Sequence, residues 1–326
     1  MNLKEIVLKF ILFFFSLLVA NIIVLIFFDL FFKQKFISQK LLRIAPTSKT
    51  FLYSDTYKTL NEYNLIIGDS YVLGLGDSFL NLDYDFSIGH HLYNLSNKGE
   101  SFINIGMTGA GSKISFLYAE DFVLKKKHPK NILFFFYEGN DLTDNIYYEK
   151  SINEKKIKLR IFFENYFPLF IFIRNAIQYY SGEKTKAKEN LQSPAMELND
   201  DELKLAINSF FETILKLKKI SKNISIVYIP SPATLSSKKQ IYVKNYFKKE
   251  NQAYSKLDIE NKSIIIKNLI NDFSINNEIS FLDTTKVLKD NSNREDIYGP
   301  KDFSHLNKYG YETISRYIFE NFKYFN

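Results

Sequence analysis

The sequence predicts an α/β fold in which a parallel sheet carries helices on both faces and one membrane-spanning helix precedes the globular part. Three observations predict it. Short apolar runs alternate with helical patterns from residue 63 onward, polar motifs follow the first three runs, and a long uncharged run lies near the amino terminus. Strands that alternate with helices favour a parallel sheet covered on both faces.

The predicted strands are short runs rich in β-branched and aromatic residues, which is typical of buried strands. They lie at 63–67, 102–105, 131–137, 224–229 and 279–282. The helical patterns between and after them lie around 110–127, 200–221, 258–273 and 307–322. Ligands of such sheets bind beyond the carboxyl ends of the strands. The residues that directly follow each strand are therefore the first candidates for a functional site.

The composition is that of a globular protein, since 46% of the 326 residues are hydrophobic and 24% are charged. The absence of cysteine excludes disulfides, zinc sites built from thiolates and cysteine nucleophiles. The net charge is +7, but lysine clusters such as 125–127 are typical of solvated surfaces, and no nucleic-acid motif accompanies them. We expect no nucleic-acid partner.

The run from Phe10 to Phe28 contains no charged residue and is long enough for a helix that crosses a bilayer. It exceeds the usual apolar core of a cleaved signal peptide, which is the alternative, and no small-residue cleavage pattern comes after it. The prediction is an uncleaved single-pass anchor. Flanking lysines favour a cytoplasmic body, whereas a lone amino-terminal anchor more often exports the rest of its chain; we predict an extracytoplasmic domain.

The chain is predicted to divide into three parts. Residues 1–32 form the membrane anchor, residues 33–60 form a polar tether, and residues 61–326 form one α/β domain. Within that domain, residues 142–198 interrupt the rhythm of strands and helices with a long segment rich in aromatic residues and lysines. We interpret it as a helical insertion that packs on the body; a lid, or a surface that dips into the membrane, is the alternative.

The strongest single motif is Gly68-Asp69-Ser70, which directly follows the first predicted strand. A serine at the carboxyl end of a strand, where a helix begins, can present its hydroxyl to a crevice while backbone N–H groups face a developing negative charge. A second copy ends at Ser78, but too few residues separate the copies for another buried strand. We predict that Ser70 is the nucleophile.

A candidate base lies near the carboxyl end, where Asp302 precedes His305 by three residues, just before the last helical pattern. A serine nucleophile needs a base to remove its proton and a group to orient that base. The chain has four histidines, and His90, His91 and His128 have no acidic partner at that spacing. A histidine taken alone is as often a surface or core residue.

Two further motifs could bind negative charge. The glycine-rich turn from Asn104 to Ser112 exposes backbone N–H groups that suit a phosphate or an oxyanion, and its spacing differs from that of nucleotide-binding loops. Asn140 follows the most hydrophobic strand and carries an amide that could donate to the same site, although an asparagine in a turn is common.

Together these residues resemble the GDSL or SGNH hydrolase family, over nearly everything from Tyr63 to Tyr317. The first block departs from the family in having Tyr71 after the serine, and the third in placing a glycine directly before Asn140. The blocks that carry the resemblance are IIGDSYVLGLG, NIGMTGAGS, FFFYEGNDLTDN, the strand end at 228–231 and IYGPKDFSHLNKYG.

The resemblance implies a flavodoxin-like three-layer sandwich and a metal-free serine esterase or acyltransferase with no cofactor. It implies that Ser70 is the nucleophile, His305 the base and Asp302 the residue that orients it. The oxyanion hole would consist of the backbone N–H groups of Ser70 and Gly109 with the Asn140 amide. Gly109 is chosen for its distance of five residues from Asn104.

The predicted function is a membrane-anchored esterase that removes a short acyl group, such as acetyl, from an envelope glycan or lipid. One alternative is an O-acyltransferase that uses the same triad on a cell-surface polysaccharide. A second is a non-catalytic envelope protein that binds a glycan or a partner. The sequence does not predict the oligomeric state of the protein.

Overall fold

The fold is organised around one central sheet. The computed structural model describes residues 3–32, 48–53, 62–74, 76, 87–107, 109–120, 128–151, 191–244, 251–292, 296–298 and 304–322. The strands of this part, in chain order, are β1 (Ser48–Tyr53), β2 (Asn64–Gly68), β3 (Phe102–Met107), β4 (Asn131–Tyr137), β5 (Asn223–Ile229), β6 (Gln240–Lys244), β7 (Asn251–Ser255) and β8 (Ser280–Asp283).

The central sheet has the strand order β1-β3-β2-β4-β5-β8, and β6 pairs with β7 in a separate hairpin. Five strands of this sheet, β3, β2, β4, β5 and β8, run parallel to one another. The edge strand β1 pairs antiparallel with β3. β2 lies between β3 and β4, with Ile67 opposite both Ile105 and Phe134. The carboxyl ends of three adjacent strands therefore meet at one edge of the sheet.

Helices cover both faces of this sheet. The helices of the described residues, in chain order, are α1 (Leu3–Phe32), α2 (Ser70–Leu73), α3 (Ile88–Leu95), α4 (Ser112–Ala119), α5 (Asp141–Ser151), α6 (Asp200–Lys218), α7 (Pro232–Leu235), α8 (Lys256–Asn276), α9 (Thr285–Ser292) and α10 (Lys308–Asn321). Leu65 and Ile67 of β2 belong to an apolar cluster with α4, α5, α6 and α8. Ile66, between them, belongs to a cluster with α3, α9 and α10.

This alternation along β2 shows that the two clusters lie on opposite faces of the sheet, because successive side chains of a strand point to opposite faces. The result is a three-layer α/β/α sandwich. It confirms the predicted α/β fold class, and each of the five predicted strands is present. The helical patterns around 110–127, 200–221, 258–273 and 307–322 correspond to α4, α6, α8 and α10.

The edge strand β1 and the two-stranded hairpin β6–β7 were not predicted. The stretch expected to be a tether contains β1, which extends the sheet by pairing residue for residue with β3. An edge strand is held by backbone hydrogen bonds, which leave little periodicity in the sequence. In the hairpin, β6 pairs with β7. Most of the predicted insertion, residues 152–190, lies outside the described residues, while Ala195 and Leu198 are buried against the sheet.

Helix α1 has 30 residues. Its stretch Glu5–Val24 has a mean hydropathy of 2.6, and none of that stretch is buried. Within the described residues it is the one helix that is long and apolar enough to cross a membrane. A signal sequence meets the same criterion, so the helix alone does not separate an anchor from a signal.

Candidate active site

Ser70 lies where β2 ends and the short helix α2 begins. Asp69 caps that helix, because its carboxylate accepts the backbone N–H of Tyr71 at 2.9 Å. Gly74 ends the helix in the left-handed region, with φ of 83°, a conformation that glycine adopts without a steric penalty. The serine is thereby fixed at a sharp turn at the carboxyl edge of the sheet.

The neighbouring strand approaches this turn closely at Gly106. A Cβ atom on Gly106 would lie 2.1 Å from the backbone nitrogen of Leu73. The side-chain amide of Asn104, also in β3, donates to the carbonyl of Val72 at 2.7 Å. Glycine and asparagine in this block therefore let β3 support the serine turn from behind.

Ser70 and His305 are in hydrogen-bond contact. The distance between Ser70 Oγ and His305 Nε2 is 2.8 Å, and Ser70 is 5% exposed. His305 lies just before α10, whose first turn is capped by the Asn307 side chain at 2.9 Å from Gly310 N. The two residues are separated by 235 positions in the chain. The sequence placed both in one site, and the structure brings them together.

Two tyrosines hold the residue before the histidine. The hydroxyl of Tyr71 donates to the carbonyl of Ser304 at 2.6 Å, and the hydroxyl of Tyr137 lies 3.2 Å from the same carbonyl while its shorter contact, at 2.5 Å, is with Gln192 Oε1. The Tyr71 ring also lies against His305, with 5.4 Å between ring centroids. Both tyrosines are fully buried. The backbone that leads into His305 is therefore fixed by the helix that carries Ser70 and by the end of β4.

The nucleophile candidate has a second contact, with Asp69. The distance between Ser70 Oγ and Asp69 Oδ2 is 3.1 Å. A serine hydroxyl carries one hydrogen, so it cannot donate to Asp69 and His305 at once. Burial raises the pKa of the Asp69 carboxyl to about 6, although hydrogen bonds and the charge of His305 oppose that rise. The protonation of Asp69 thus bears on which partner receives the serine hydrogen.

Two more carboxyl groups lie nearby at the start of α5. Asp141 accepts the backbone N–H of Tyr137 at 2.9 Å, and its Oδ1 atom is buried without a hydrogen-bond partner. Burial, together with the negative charge of Asp69, raises the pKa of Asp141 well above its usual range and that of Asp144 to about 7. These pKa shifts favour retention of protons beside the serine.

Two of the predicted oxyanion donors, Asn140 and Gly109, lie in different turns at the edge of the sheet. Asn140 lies in the turn between β4 and α5, where its amide donates to Asp144 at 2.7 Å. Gly109 is exposed, has φ of 61° and lies in the turn between β3 and α4. Asp302 and Ser78 lie outside the described residues. The roles of Asn140, Gly109 and Asp302 stay predictions.

Another buried carboxyl group, that of Glu138, joins several elements by hydrogen bonds at the carboxyl edge of the sheet. Glu138, directly after β4, accepts hydrogen bonds from four hydroxyl groups and is fully buried. Burial raises the pKa of Glu138, and these hydrogen bonds oppose that rise. The donors lie on β5, on or beside α7, and on α8: Tyr228, Ser231, Thr234 and Ser263.

The arrangement can carry out nucleophilic chemistry. In serine hydrolases, a serine hydroxyl that is hydrogen-bonded to an imidazole nitrogen carries out acyl transfer. The imidazole accepts the hydroxyl proton as the serine oxygen attacks the carbonyl carbon. In the part of the chain that the structure describes, no cluster of three or more His, Asp or Glu side chains is arranged to hold a metal ion.

Comparison with known proteins gives matches at the level of structure. No family model and no curated protein matches the chain. An acetylxylan esterase from Geobacillus stearothermophilus is similar at 13% identity and a TM-score of 0.42, over 81% of this chain and 96% of that chain. A second acetyl xylan esterase is similar at 17% identity and a TM-score of 0.40, over 79% and 98%.

A member of the lipolytic protein G-D-S-L family from Veillonella parvula is also similar, at 11% identity and a TM-score of 0.41, over 80% of this chain and 98% of that chain. Because these identities are low, we infer the function of this chain from its own site.

The residues that support the contact between Ser70 and His305 were not predicted from the sequence. Tyr71 and Tyr137 read as ordinary core aromatics, and nothing in the sequence links either hydroxyl to Ser304. Asp144 lies four residues after Asn140, a spacing that places both on one side of a helix start. That spacing is the signal that could have indicated their hydrogen bond.

Proposed function

We propose that this protein is a serine esterase that removes a short acyl group, such as acetyl, from a glycan or lipid. The observation that carries the proposal is the 2.8 Å contact between Ser70 Oγ and His305 Nε2 at the carboxyl edge of the sheet. The ordered sequence blocks that resemble the GDSL or SGNH hydrolases support it, since they contribute the turns around this contact.

In the proposed reaction, Ser70 Oγ attacks the ester carbonyl carbon while His305 Nε2 takes the hydroxyl proton. The tetrahedral intermediate collapses when the C–O bond to the alcohol breaks and His305 gives the proton to the departing oxygen. Water, deprotonated by His305, then attacks the acyl-serine, and the carboxylic acid leaves as Ser70 regains its hydrogen. Asp302 would orient His305 throughout.

Negative charge on the carbonyl oxygen needs hydrogen-bond donors in place before it forms. The backbone N–H of Ser70 lies at the start of a helix, where N–H groups have no partner within the helix, and it also contacts the Asp69 carboxyl. The N–H of Gly109 and the amide of Asn140 are the other proposed donors, and both follow neighbouring strands at the same edge.

The full-length chain in detergent tests the proposal. It is expected to hydrolyse an activated acetyl ester and to react with a serine-directed fluorophosphonate, and Ser70→Ala is expected to lower turnover by about 10³-fold or more and to abolish labelling. Ser78→Ala is the matched control and is expected to keep both. Equal labelling of Ser70→Ala and the unaltered protein would refute the assignment of the nucleophile.

We also propose that α1 anchors the enzyme in a membrane, with the sandwich on the extracytoplasmic side. The uncharged run from Phe10 to Phe28 within α1 and the exposure of the apolar side chains in Glu5–Val24 support a helix that needs a lipid environment. Alkaline extraction of membranes followed by intact-mass measurement tests the anchor. A soluble product that lacks α1 would show instead that the segment is a cleaved signal.

A further inference from the structure

The side-chain amide of Asn140 is held by Asp144. Asn140 Nδ2 donates to Asp144 Oδ2 at 2.7 Å, and the backbone N–H of Asp144 donates to the carbonyl of Asn140 at the same distance. Asp144 therefore fixes both the main chain and the side chain of Asn140. The bond joins the last residue of the turn after β4 to the first turn of α5.

This bond sets the direction of the amide. An asparagine side chain has an acceptor edge and a donor edge, whereas an ionised carboxylate only accepts. If the amide turned over, its oxygen would face the carboxylate oxygen and the two would repel. Asn140 Oδ1 is buried and has no hydrogen-bond partner, so no competing donor in the described part of the chain draws the amide into the other orientation.

The amide nitrogen carries two hydrogens, and Asp144 takes one of them. The second hydrogen would donate to the oxyanion that forms on the substrate when Ser70 attacks it. β2 and β4 are hydrogen-bonded neighbours, with Ile67 opposite Phe134, so the turns that carry Ser70 and Asn140 leave the sheet side by side.

We propose that Asp144 is a positioning residue that keeps the donor edge of Asn140 toward the carbonyl oxygen of the acyl substrate; the inference rests on the proposed esterase function. Asp144 does not touch the substrate in this role. It acts by holding the orientation of the amide, so that the donor is in place before charge develops on the oxygen.

A negative carboxylate beside an oxyanion would oppose the reaction, and the surroundings of Asp144 reduce that conflict. Burial, with the charges of Asp69 on the serine turn and Glu197 before α6, raises the pKa of Asp144 to about 7, while the bond from Asn140 opposes the rise. A protonated carboxyl still accepts the amide hydrogen through its carbonyl oxygen. The contact therefore persists when the charge is removed, but only the ionised carboxylate, which cannot donate, excludes the turned amide.

Substitution of Asp144 separates positioning from packing. Asp144→Ala removes the acceptor, and kcat on an activated acetyl ester is expected to fall about 10- to 100-fold with KM within about twofold, since a misplaced oxyanion donor weakens only the transition state. Asp144→Asn keeps an acceptor oxygen, but its NH2 group can also pair with a turned amide, so its kcat is expected to lie between those of the unaltered protein and Asp144→Ala. Asp144→Leu fills the space without an acceptor and covers the case in which alanine prevents folding.

A double substitution gives the sharper test. If Asp144 acts through the amide, adding Asp144→Ala to Asn140→Ala costs no more than about threefold in kcat, because the group it positions is already gone. Glu149→Gln is the control, because it alters a carboxylate five positions further along the same helix, where Glu149 accepts a hydrogen bond from Lys113 at 2.7 Å. Its kcat is expected to stay within about twofold of the unaltered value.

Each result decides the inference. Independent losses from Asn140→Ala and Asp144→Ala, or unaltered kcat in both Asp144→Ala and Asp144→Leu, would refute positioning while leaving an active esterase. Equal loss in Asp144→Asn and Asp144→Leu would also refute it, because the conservative variant retains the acceptor. A folded, unaltered protein that turns over no ester would overturn the proposed function, and the positioning role with it.

Discussion

Tyr71 donates its hydroxyl to the carbonyl of Ser304 at 2.6 Å, across 233 positions of the chain. Tyr71 follows the candidate nucleophile, and Ser304 precedes the candidate base. One hydrogen bond therefore ties together the two backbone segments whose side chains meet at 2.8 Å. The ring of Tyr71 packs on that of Tyr137 with 4.1 Å between centroids, and both tyrosine side chains are buried.

Tyr71→Phe is expected to lower kcat about 3- to 30-fold with little change in KM, because the ring remains while the carbonyl before His305 loses a donor. Stability is expected to fall by about 1–2 kcal/mol, the cost of a weakened buried hydrogen bond. Steady-state kinetics and urea unfolding measure the two effects. Tyr254→Phe, which removes a hydroxyl bonded to the Met196 carbonyl at 3.3 Å, is the control and is expected to leave kcat unchanged.

The sequence predicts the parts of the candidate site that follow local rules. Ser70 was predictable because an apolar strand runs directly into a turn, and His305 because an acidic residue precedes it by three positions. The central strands were predictable because buried parallel strands are continuous apolar runs. Each of these signals is contained in a stretch of about ten consecutive residues.

The parts that could not be predicted depend on contacts between distant segments or on the backbone. The bond of Tyr71 to Ser304 joins residues that carry no shared pattern. β1 is held by its pairing with β3, and its residues read as part of a tether. The raised pKa of Asp144 arises from burial and from charges on two other elements, neither of which can be read from neighbouring residues.

Gly106→Ala is expected to destabilise the fold by about 3 kcal/mol or more. The new Cβ would lie 2.1 Å from the nitrogen and 2.5 Å from the Cα of Leu73, and backbone atoms can move aside only if β3 or α2 shifts. Gly109→Ala is the comparison, since its Cβ meets no atom within 4 Å and only its φ of 61° opposes it; a cost of about 1 kcal/mol is expected. Equal unfolding midpoints for the two variants would contradict this account.

Glu138→Ala is expected to cost about 3 kcal/mol or more, because it leaves four hydroxyl groups at the sheet edge without their shared acceptor. The hydroxyl of Tyr228 lies 2.6 Å from Glu138 and 3.4 Å from Ser263 Oγ, so the substitution removes the shorter of its two contacts. Glu138→Gln keeps an acceptor oxygen of the same size and is expected to cost less than half as much. Urea unfolding of the two variants measures the difference, and a larger cost for glutamine would argue that a charged acceptor is required.

Stability is expected to fall as the pH rises from about 4 to about 7. The pKa of Asp69 is raised to about 6 and that of Asp144 to about 7, whereas both groups release their protons near pH 4 in an unfolded chain. In this interval the native state holds more protons than the unfolded state, so an increase in pH favours unfolding. The contribution is fully present below about pH 4 and is lost above about pH 7, with a slope of at most about 1.4 kcal/mol per pH unit for each group.

Asp144→Asn tests this dependence, because asparagine does not titrate and keeps an acceptor for Asn140. The variant is expected to show a shallower decline in the free energy of unfolding between pH 4 and 7 than the unaltered protein, measured by urea unfolding in detergent at several pH values. Its stability relative to the unaltered protein should therefore improve as the pH rises. Parallel curves for the two proteins across this interval would show that Asp144 loses its proton at the same pH in the folded and unfolded chains.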